Sequence, residues 1–479
     1  MSKRLRAALL TGTGILLACP SLASAQPLSQ EEATALREEV ARLKASLARI
    51  EARLAADGSQ APADTAPADT AVAAAPATPP ATAPAPATPA KAEPAKLAGA
   101  KVEWKGSPQI VEGGHAFKPK GRIQVDAGYV GGPGAKEDPG LGFSTEFRRI
   151  RLGAEGQFTD NLSYKLELEL SDNKVDLVDT FVTFKKDNLA LTVGNQNQFQ
   201  SLDELTGDTT GSFMERAAFT DAFGFERRLG ISAQYKLDAL TLQAGVFADD
   251  INALAASDGV KADENNAFSL DGRVVYAPMV GTTQLHFGGS AHWRKLNRLS
   301  GIPISYRQRP FLHSTDSRIL ATPSASIAEE LNYGLEFAAI HGPWHAAAEA
   351  NWLRPDVVDA RNPSYFGGYA EVGYFLTKGD SRAYANTIFG STSPKRPMDK
   401  GGPGAWQVNL RYDYLDLNDG PFVGGKQNAY LASLIWTPMR YLRLNLNYGY
   451  LEYDRAALLL GGRRDYGLHM LATRMELDF

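Results

Sequence analysis

From Gly121 to the C-terminus, apolar and polar residues alternate at every second position, and few architectures accept that pattern for so long. Leu162, Tyr164, Leu166, Leu168 and Leu170 alternate with Ser163, Lys165, Glu167 and Glu169. Leu442, Leu444, Leu446, Tyr448 and Tyr450 alternate with Arg443, Asn445, Asn447 and Gly449. Successive side chains of a strand point to opposite faces, so each stretch is a ribbon with one apolar and one polar face. In a soluble sandwich the apolar face enters a core and the polar face meets bulk water. In a membrane barrel the apolar face meets lipid and the polar face lines a lumen. Alternation alone leaves both open.

Three further features favour the barrel. The polar phase carries charges of both signs along whole strands. Aromatics sit near strand ends, at Trp406, Tyr412, Tyr414, Tyr430, Trp436, Tyr441, Tyr448 and Tyr450, as two interfacial girdles require. The last segment, Gly467 to Phe479, ends on an outward aromatic and resembles the usual ending of outer-membrane barrels. Sixteen candidate strands follow one another between 121–130 and 466–479, an even number as a single-chain bacterial barrel needs. Connections are short at Thr159-Asp160-Asn161, Lys186-Asp187-Asn188 and Gly342-Pro343, and mostly longer at the opposite end. One long connection, 379–403, falls among the short ones by parity: either it folds into the lumen or the strand count is off by one. No run of about 18 apolar residues follows the N-terminus, so no helical span is expected.

The expected fold is all-β: a 16-stranded antiparallel transmembrane β-barrel, preceded by a short coiled coil and an Ala/Pro-rich linker. Residues 1–25 read as a secretory signal, with Lys3, Arg4 and Arg6, an apolar stretch and Ala23-Ser24-Ala25 as cleavage site. Leu16-Leu17-Ala18-Cys19 offers a rival lipidation site at the chain's one cysteine. Residues 26–58 hold Leu36, Val40, Leu43, Leu47, Ile50 and Leu54, an a/d seam of a coiled coil. Residues 59–112 read as a disordered spacer, and 113–479 as the barrel.

A hydrolase would need a nucleophile and base. There is no G-x-S-x-G and no H-E-x-x-H, and the seven histidines are scattered. No catalytic residue, metal site or cofactor is expected, and a formal net charge of −4 does not argue for nucleic acid. What the sequence offers is placed charge. With Ile150, Leu152 and Ala154 as the apolar phase, Arg149 and Arg151 point inward, and Arg148 lies near the strand's outer end. Parity also turns Arg122, Lys165, Arg228, Arg411, Arg443 and Arg474 inward, with Asp126, Glu155, Glu167, Glu169, Asp413 and Glu476. Guanidinium groups in a walled channel focus positive potential and coordinate anions. Paired with the carboxylates, they would instead stiffen the wall. Arg294, Lys295, Arg298, Arg307, Arg309 and Arg318 surround Asp316 in one basic loop, which could equally meet lipopolysaccharide.

Several segments resemble one family. They are Glu146-Phe147-Arg148-Arg149-Ile150-Arg151-Leu152, Val178-Asp179-Thr180-Phe181-Val182, Gly194, and Ser201-Leu202-Asp203-Glu204-Leu205-Thr206 with Phe213-Met214-Glu215-Arg216. Arg307-Gln308-Arg309-Pro310, Gly404 to Val408 and Arg411 to Leu417 complete the set. Together, over roughly 115–479, they resemble the phosphate-selective porin O and P family. The resemblance implies a trimeric barrel in the Gram-negative outer membrane, constricted by its third loop, its fifth loop and one periplasmic turn. Phosphate-selecting members use arginines of the second strand, an Asp of the fourth and a Lys of the third loop. The first two carry over to Arg148, Arg149, Arg151 and Asp179. The Lys does not: Asn195 to Glu215 contains neither Lys nor Arg.

The expected anion path comprises these four residues with Arg307, Arg309, Lys395 and Arg396. The expected constriction loop holds Ser201, Asp203, Glu204, Thr206, Glu215 and Arg216. The expected function is passive diffusion of small solutes with a preference for anions, phosphate and polyphosphate among the candidate solutes but weakly discriminated from chloride, by a homotrimer whose N-terminal segment lies in the periplasm. The alternative is a structural barrel tethering the envelope through its coiled coil.

Overall fold

The computed structural model describes residues 100–134, 138–171, 173–248, 251, 267–296 and 303–479. The expected signal segment, Cys19, the coiled coil, most of the spacer and Arg298 lie outside the described residues.

Every stretch of alternation forms a strand. In chain order these are β1 His115–Gly131, β2 Gly142–Thr159, β3 Leu162–Glu169, β4 Asp176–Lys186, β5 Leu189–Asn197 and β6 Arg227–Leu237. Then come β7 Leu240–Phe247, β8 Phe268–Tyr276, β9 Thr283–Lys295, β10 Ala325–His341 and β11 Trp344–Val357. The last are β12 Tyr365–Phe375, β13 Ala405–Asp419, β14 Phe422–Met439, β15 Leu442–Asp454 and β16 Tyr466–Asp478. Each pairs antiparallel with its sequence neighbours, and β16 pairs with β1 from Asp478↔Arg122 to His469↔Gly131. The sheet therefore closes into a 16-stranded barrel without free lateral edges. No helix among the described residues is long and apolar enough to cross a membrane.

The outer wall is apolar, with exposed Leu152, Leu166, Val182, Ile231, Leu335, Leu410 and Leu471. Aromatic contacts mark both of its ends. Trp344–Tyr374 and stacked Trp406–Trp436, with centroids 4.5 and 5.3 Å apart, lie at the short-turn end. Tyr333, Trp352, Phe366 and Tyr414 run across β10 to β13 toward the other end. Tight turns suit residues that adopt positive φ: Asp187 at 51°, Asp238 at 45° and Gly342 at 54°.

Three long connections fill the lumen. The 198–226 loop carries two short helices, α1 Leu202–Leu205 and α2 Ala218–Ala222, and buries Leu202, Phe213, Met214 and Phe219. The loop between β9 and β10 buries Tyr306, Phe311, Leu312 and Ile319. The long connection at 376–404 leaves the short-turn end and folds inward. There Arg273 of β8 donates to Thr387 Oγ1 and O at 3.0 and 3.1 Å, and His286 meets the Tyr384 hydroxyl at 2.7 Å. The strand count stands, and parity identified a turn that enters the lumen.

One boundary differs from expectation. Lys101–Trp104 and Pro108–Glu112, inside the expected 59–112 spacer, form paired strands, and Ile110 pairs with Phe117 of β1. Their alternation, Val102 and Trp104 against Lys101, Glu103 and Lys105, was overshadowed by the Ala/Pro-rich composition before it.

The barrel ends on a contact between β1 and the C-terminus. Gly121 N donates to Phe479 O at 3.0 Å, and Phe479 N to Gly121 O at 2.9 Å. A Cβ on Gly121 would lie 2.1 Å from Phe479 Cζ, so only glycine leaves room for the terminal ring. Gly121→Val should destabilise the barrel by about 1–3 kcal/mol through overpacking. The check is the temperature at which the folded, fast-migrating band is lost on a gel; adding Phe479→Ala should restore part of the loss, and an unshifted single variant would contradict the contact.

Candidate functional site

The charged face of the wall converges on β1 and β2. Register shifts by one residue between Gln124↔Arg149 and Val125↔Phe147, so β2 holds a bulge at Arg148. An extra residue reverses the phase of a strand. Before the bulge Phe147 faces outward, 57% exposed; after it Arg149 and Arg151 face inward and are buried. Arg148 itself reaches Glu215 of the 198–226 loop at 3.4 Å. The bulge thus delivers three arginines of one short segment to the lumen, where strict alternation would deliver two.

The facing loop is held from several sides by charge. Glu349 of β11 accepts from Leu202 N and Asp203 N at 2.9 and 2.7 Å, on the first turn of α1. Asp413 of β13 accepts from Ala218 N at 3.2 Å, and Asp203 from Ala217 N at 2.7 Å. Arg411 ties Asp203 at 3.2 Å to Glu371 at 2.6 Å. Arg474, in the closing strand, binds Asp126 and Glu215, each at 2.6 Å. Arg443 and Arg382 donate to the carbonyls of Gly211 and Thr210. Arg216 crosses the loop's base, donating to the carbonyls of Asp203, Glu204 and Thr206 at 3.0–3.2 Å.

At the tip of this loop stands Asp208. Its Oδ2 lies 3.3 Å from Arg122, 3.0 Å from Arg149 and 3.3 Å from Arg151, and its Oδ1 lies 3.0 Å from Arg216. Burial alone would raise its pKa. The guanidinium groups of Arg149, Arg216, Arg151 and Arg122 outweigh burial and hold the carboxyl well below the usual range. Glu204, on the same loop, behaves oppositely. Burial pushes it up to about 7, and Asp208 and Asp203 add to the rise, against Arg216 at 3.3 Å and Arg227.

Beside this cluster Asp179 bridges Lys165 and Arg227, the latter at 2.5 Å. Arg151 also reaches Glu169 at 2.7 Å. On the long-loop side a cavity of 200 Å³ is lined by Arg148, Glu204, Glu215, Arg216, Arg309 and His313, among others. On the short-turn side a cavity of 240 Å³ meets Lys118, Lys120, Arg382, Arg440 and Arg443. The cluster around Asp208 lies between the two cavities, the first lined by both charges and the second mainly by cations.

Of the expected residues, Arg148, Arg149, Arg151, Asp203, Glu204, Glu215 and Arg216 come together here, and Asp179 joins the adjoining wall. Ser201 caps α1 by accepting from Glu204 N, and Thr206 N bonds Leu202 O, so both shape the loop. Arg309 sits at the outer vestibule, donating to Thr315 O at 3.1 Å. Arg307, Lys395 and Arg396 are exposed and do not join the cluster. Arg227 escaped sequence parity because β6 begins at that residue, where the strand phase yields to the loop. Asp208 was visible only as one acid among four. Among the described residues no group of three or more His, Cys, Asp or Glu is arranged to hold a metal ion.

Residues 117–479 match the sequence model of the family described as phosphate-selective porin O and P. A Caulobacter vibrioides protein, described as uncharacterized, is 56% identical over 381 residues, covering 79% of this chain and 77% of its own. Among solved structures, in-vitro folded OmpT of Vibrio cholerae aligns with a TM-score of 0.49 and 11% identity, over 77% of this chain and 99% of that one. An anion-selective porin from Comamonas acidovorans aligns with a TM-score of 0.48 and 11% identity, over 76% and 100%.

The raised Glu204 carboxyl predicts a pH effect. The group is neutral below about pH 7 and anionic above it, so the constriction gains positive charge as pH falls through that value. Ion preference read from reversal potentials should shift toward anions between pH 8 and pH 6, roughly one unit either side of that midpoint. Glu204→Gln should remove the step, and a flat profile in the unmodified protein would contradict the assignment.

Proposed function

The chain belongs to the phosphate-selective porin O and P family, and we propose that it is a passive outer-membrane pore for small solutes that prefers anions. The observation that carries the reading is the convergence of Arg122, Arg149, Arg151 and Arg216 at the constriction, beside a short-turn-side cavity lined mainly by cations. Fixed guanidinium groups in a walled channel raise the local concentration of anions and slow cations. Phosphate-like anions fall within the solutes it passes. It takes them up without strong selection over chloride, because the third loop brings acids where a selective site needs another cation. A polyanion is repelled by each carboxylate in proportion to its charge.

The working unit in this reading is a homotrimer. All five tryptophans of the barrel (Trp293, Trp344, Trp352, Trp406 and Trp436) lie on β9 to β14, the lipid-anchored side. The strands β3 to β8 are only 8–11 residues long and lack tryptophan, which suits a wall covered by neighbouring barrels. The N-terminal coiled coil then lies in the periplasm behind its spacer, and the exposed Arg307 faces lipopolysaccharide at the outer rim.

Single-channel recording in planar bilayers under a salt gradient tests the proposal: an anion-preferring reversal potential is expected, and absence of conductance would sink it. Arg149→Ala with Arg151→Ala should move the reversal potential toward zero while the barrel still assembles. These residues line the lumen, so their loss does not involve the roughly 2–4 kcal/mol associated with charge on the lipid face. Deleting residues 26–96 should leave the trimer intact, because a seam joined through a spacer contributes mainly effective concentration. Dissociation to monomers in unheated samples on a gel would refute that assignment.

A further inference from the structure

Asp208 is a protein carboxylate standing where four guanidinium groups meet. Three of them, from Arg122, Arg149 and Arg151, approach the single oxygen Oδ2, and Arg216 takes Oδ1. The fit is imperfect in one direction. The separations are 3.0–3.3 Å, longer than the roughly 2.7–2.9 Å of a well-formed guanidinium–carboxylate hydrogen bond. Nε of Arg122 and Nε of Arg149 are buried with no hydrogen-bond acceptor, the second despite lying 3.0 Å from Oδ2. A carboxylate offers two oxygens, and this cluster has donors for more. A small cavity of 30 Å³, room for about one water, adjoins the site and is lined by Arg149, Gly207, Asp208 and Arg216.

The loop does not need Asp208 to keep its position. Glu349, Asp413, Arg411, Arg474, Arg443 and Arg382 anchor it on both sides of the tip. The tip is itself a turn, with Thr210 N and Oγ1 donating to Gly207 O at 2.8 and 2.7 Å.

We propose that Asp208 is a tethered counter-anion: its side chain occupies the place of a free oxyanion among Arg122, Arg149, Arg151 and Arg216, and its presence makes the pore unselective among anions. The inference rests on the reading of the protein as an anion-preferring pore and names the residue that sets its specificity. Without Asp208 the four cations would keep Asp478, Glu169 and Glu204 as further partners, on Arg122, Arg151 and Arg216. The buried Arg149 would have no carboxylate among the described residues, which is costly for a charge that has left water. A mobile anion answering that need would bind tightly and obstruct flow. A covalently attached carboxylate answers it permanently, and anions then pass along a wall that is still positive but holds no vacant oxyanion site. Tethering also makes the occupant effectively present at high local concentration, so millimolar solutes do not displace it.

Two substitutions separate the charge of Asp208 from the space it fills. Asp208→Ala removes both and joins the carboxyl volume to the adjoining cavity. Inorganic phosphate and sulfate should then block the chloride current at concentrations lower by about tenfold or more than in the unmodified pore, the scale of a charge-assisted hydrogen bond. Asp208→Asn removes the charge and keeps the volume. It should increase anion preference in a potassium chloride gradient and leave oxyanion block close to the original. Conductance of the unmodified protein reports on the pore reading separately. A conducting Asp208→Ala variant with unchanged oxyanion block would overturn the proposal. So would an Asp208→Asn variant with unchanged ion preference, a test that stands even if the alanine variant fails to assemble. Tight phosphate block of the unmodified pore would overturn it too, because the site would then accept a free anion beside Asp208.

Discussion

Lipid offers no hydrogen-bond partners, and this governs everything else in the structure. A strand crossing a bilayer must give each backbone N–H and C=O a partner on a neighbouring strand, so the sheet has to close on itself. Closure between β16 and β1 follows, and with it an inside and an outside. Because the outside must be apolar, period-two alternation places every second residue of all strands in the interior. The interior is polar by exclusion, and its charges must find partners there.

Those partners come from neighbouring strands and from the inward loops. Arg474 and Asp126 face each other across the closing seam, both side chains inaccessible, and Arg474 reaches on to Glu215 of the third loop. Arg411 joins β12 to the same loop through Glu371 and Asp203. Arg273 binds Glu336 on the wall and Thr387 on the inward turn. A buried ion pair adds little net stability compared with apolar packing, but breaking one leaves a stranded charge. Such pairs therefore specify position more than they strengthen the fold. At the constriction the third loop is bonded to wall residues of several strands.

Much of this was legible from single residues. Phe479 was read as outward, and its ring lies over Gly121 on the outer wall. Arg411, Arg443, Arg474 and Asp413 were read as inward, and each now holds the third loop. Alternation alone does not place Arg148 and Asp179, which the family resemblance puts in the anion path, because the backbone breaks its period beside both. The bulge in β2 brings Arg148 into the lumen beside Arg149. A second shift, between Leu166↔Thr180 and Leu168↔Leu177, flanks Asp179. Bulges respond to twist and cross-strand contacts, and neither is written in the alternation of one strand.

The sequence by itself determined the wall: the strands, their inward and outward faces, the turns at Asp187 and Gly342, and an interior rich in both charges. These follow from local rules, because side-chain direction in a strand depends only on position within it. The tertiary structure alone decided which charges meet. Asp208 lies 86 residues from Arg122 in the chain, and nothing in its neighbourhood distinguishes it from Asp203 or Glu204. Coulomb interactions act through space, falling with distance and steepened by burial. Only the folding of the third loop back across the lumen turns one acid into the common partner of four arginines and leaves another, Glu204, poised near neutrality.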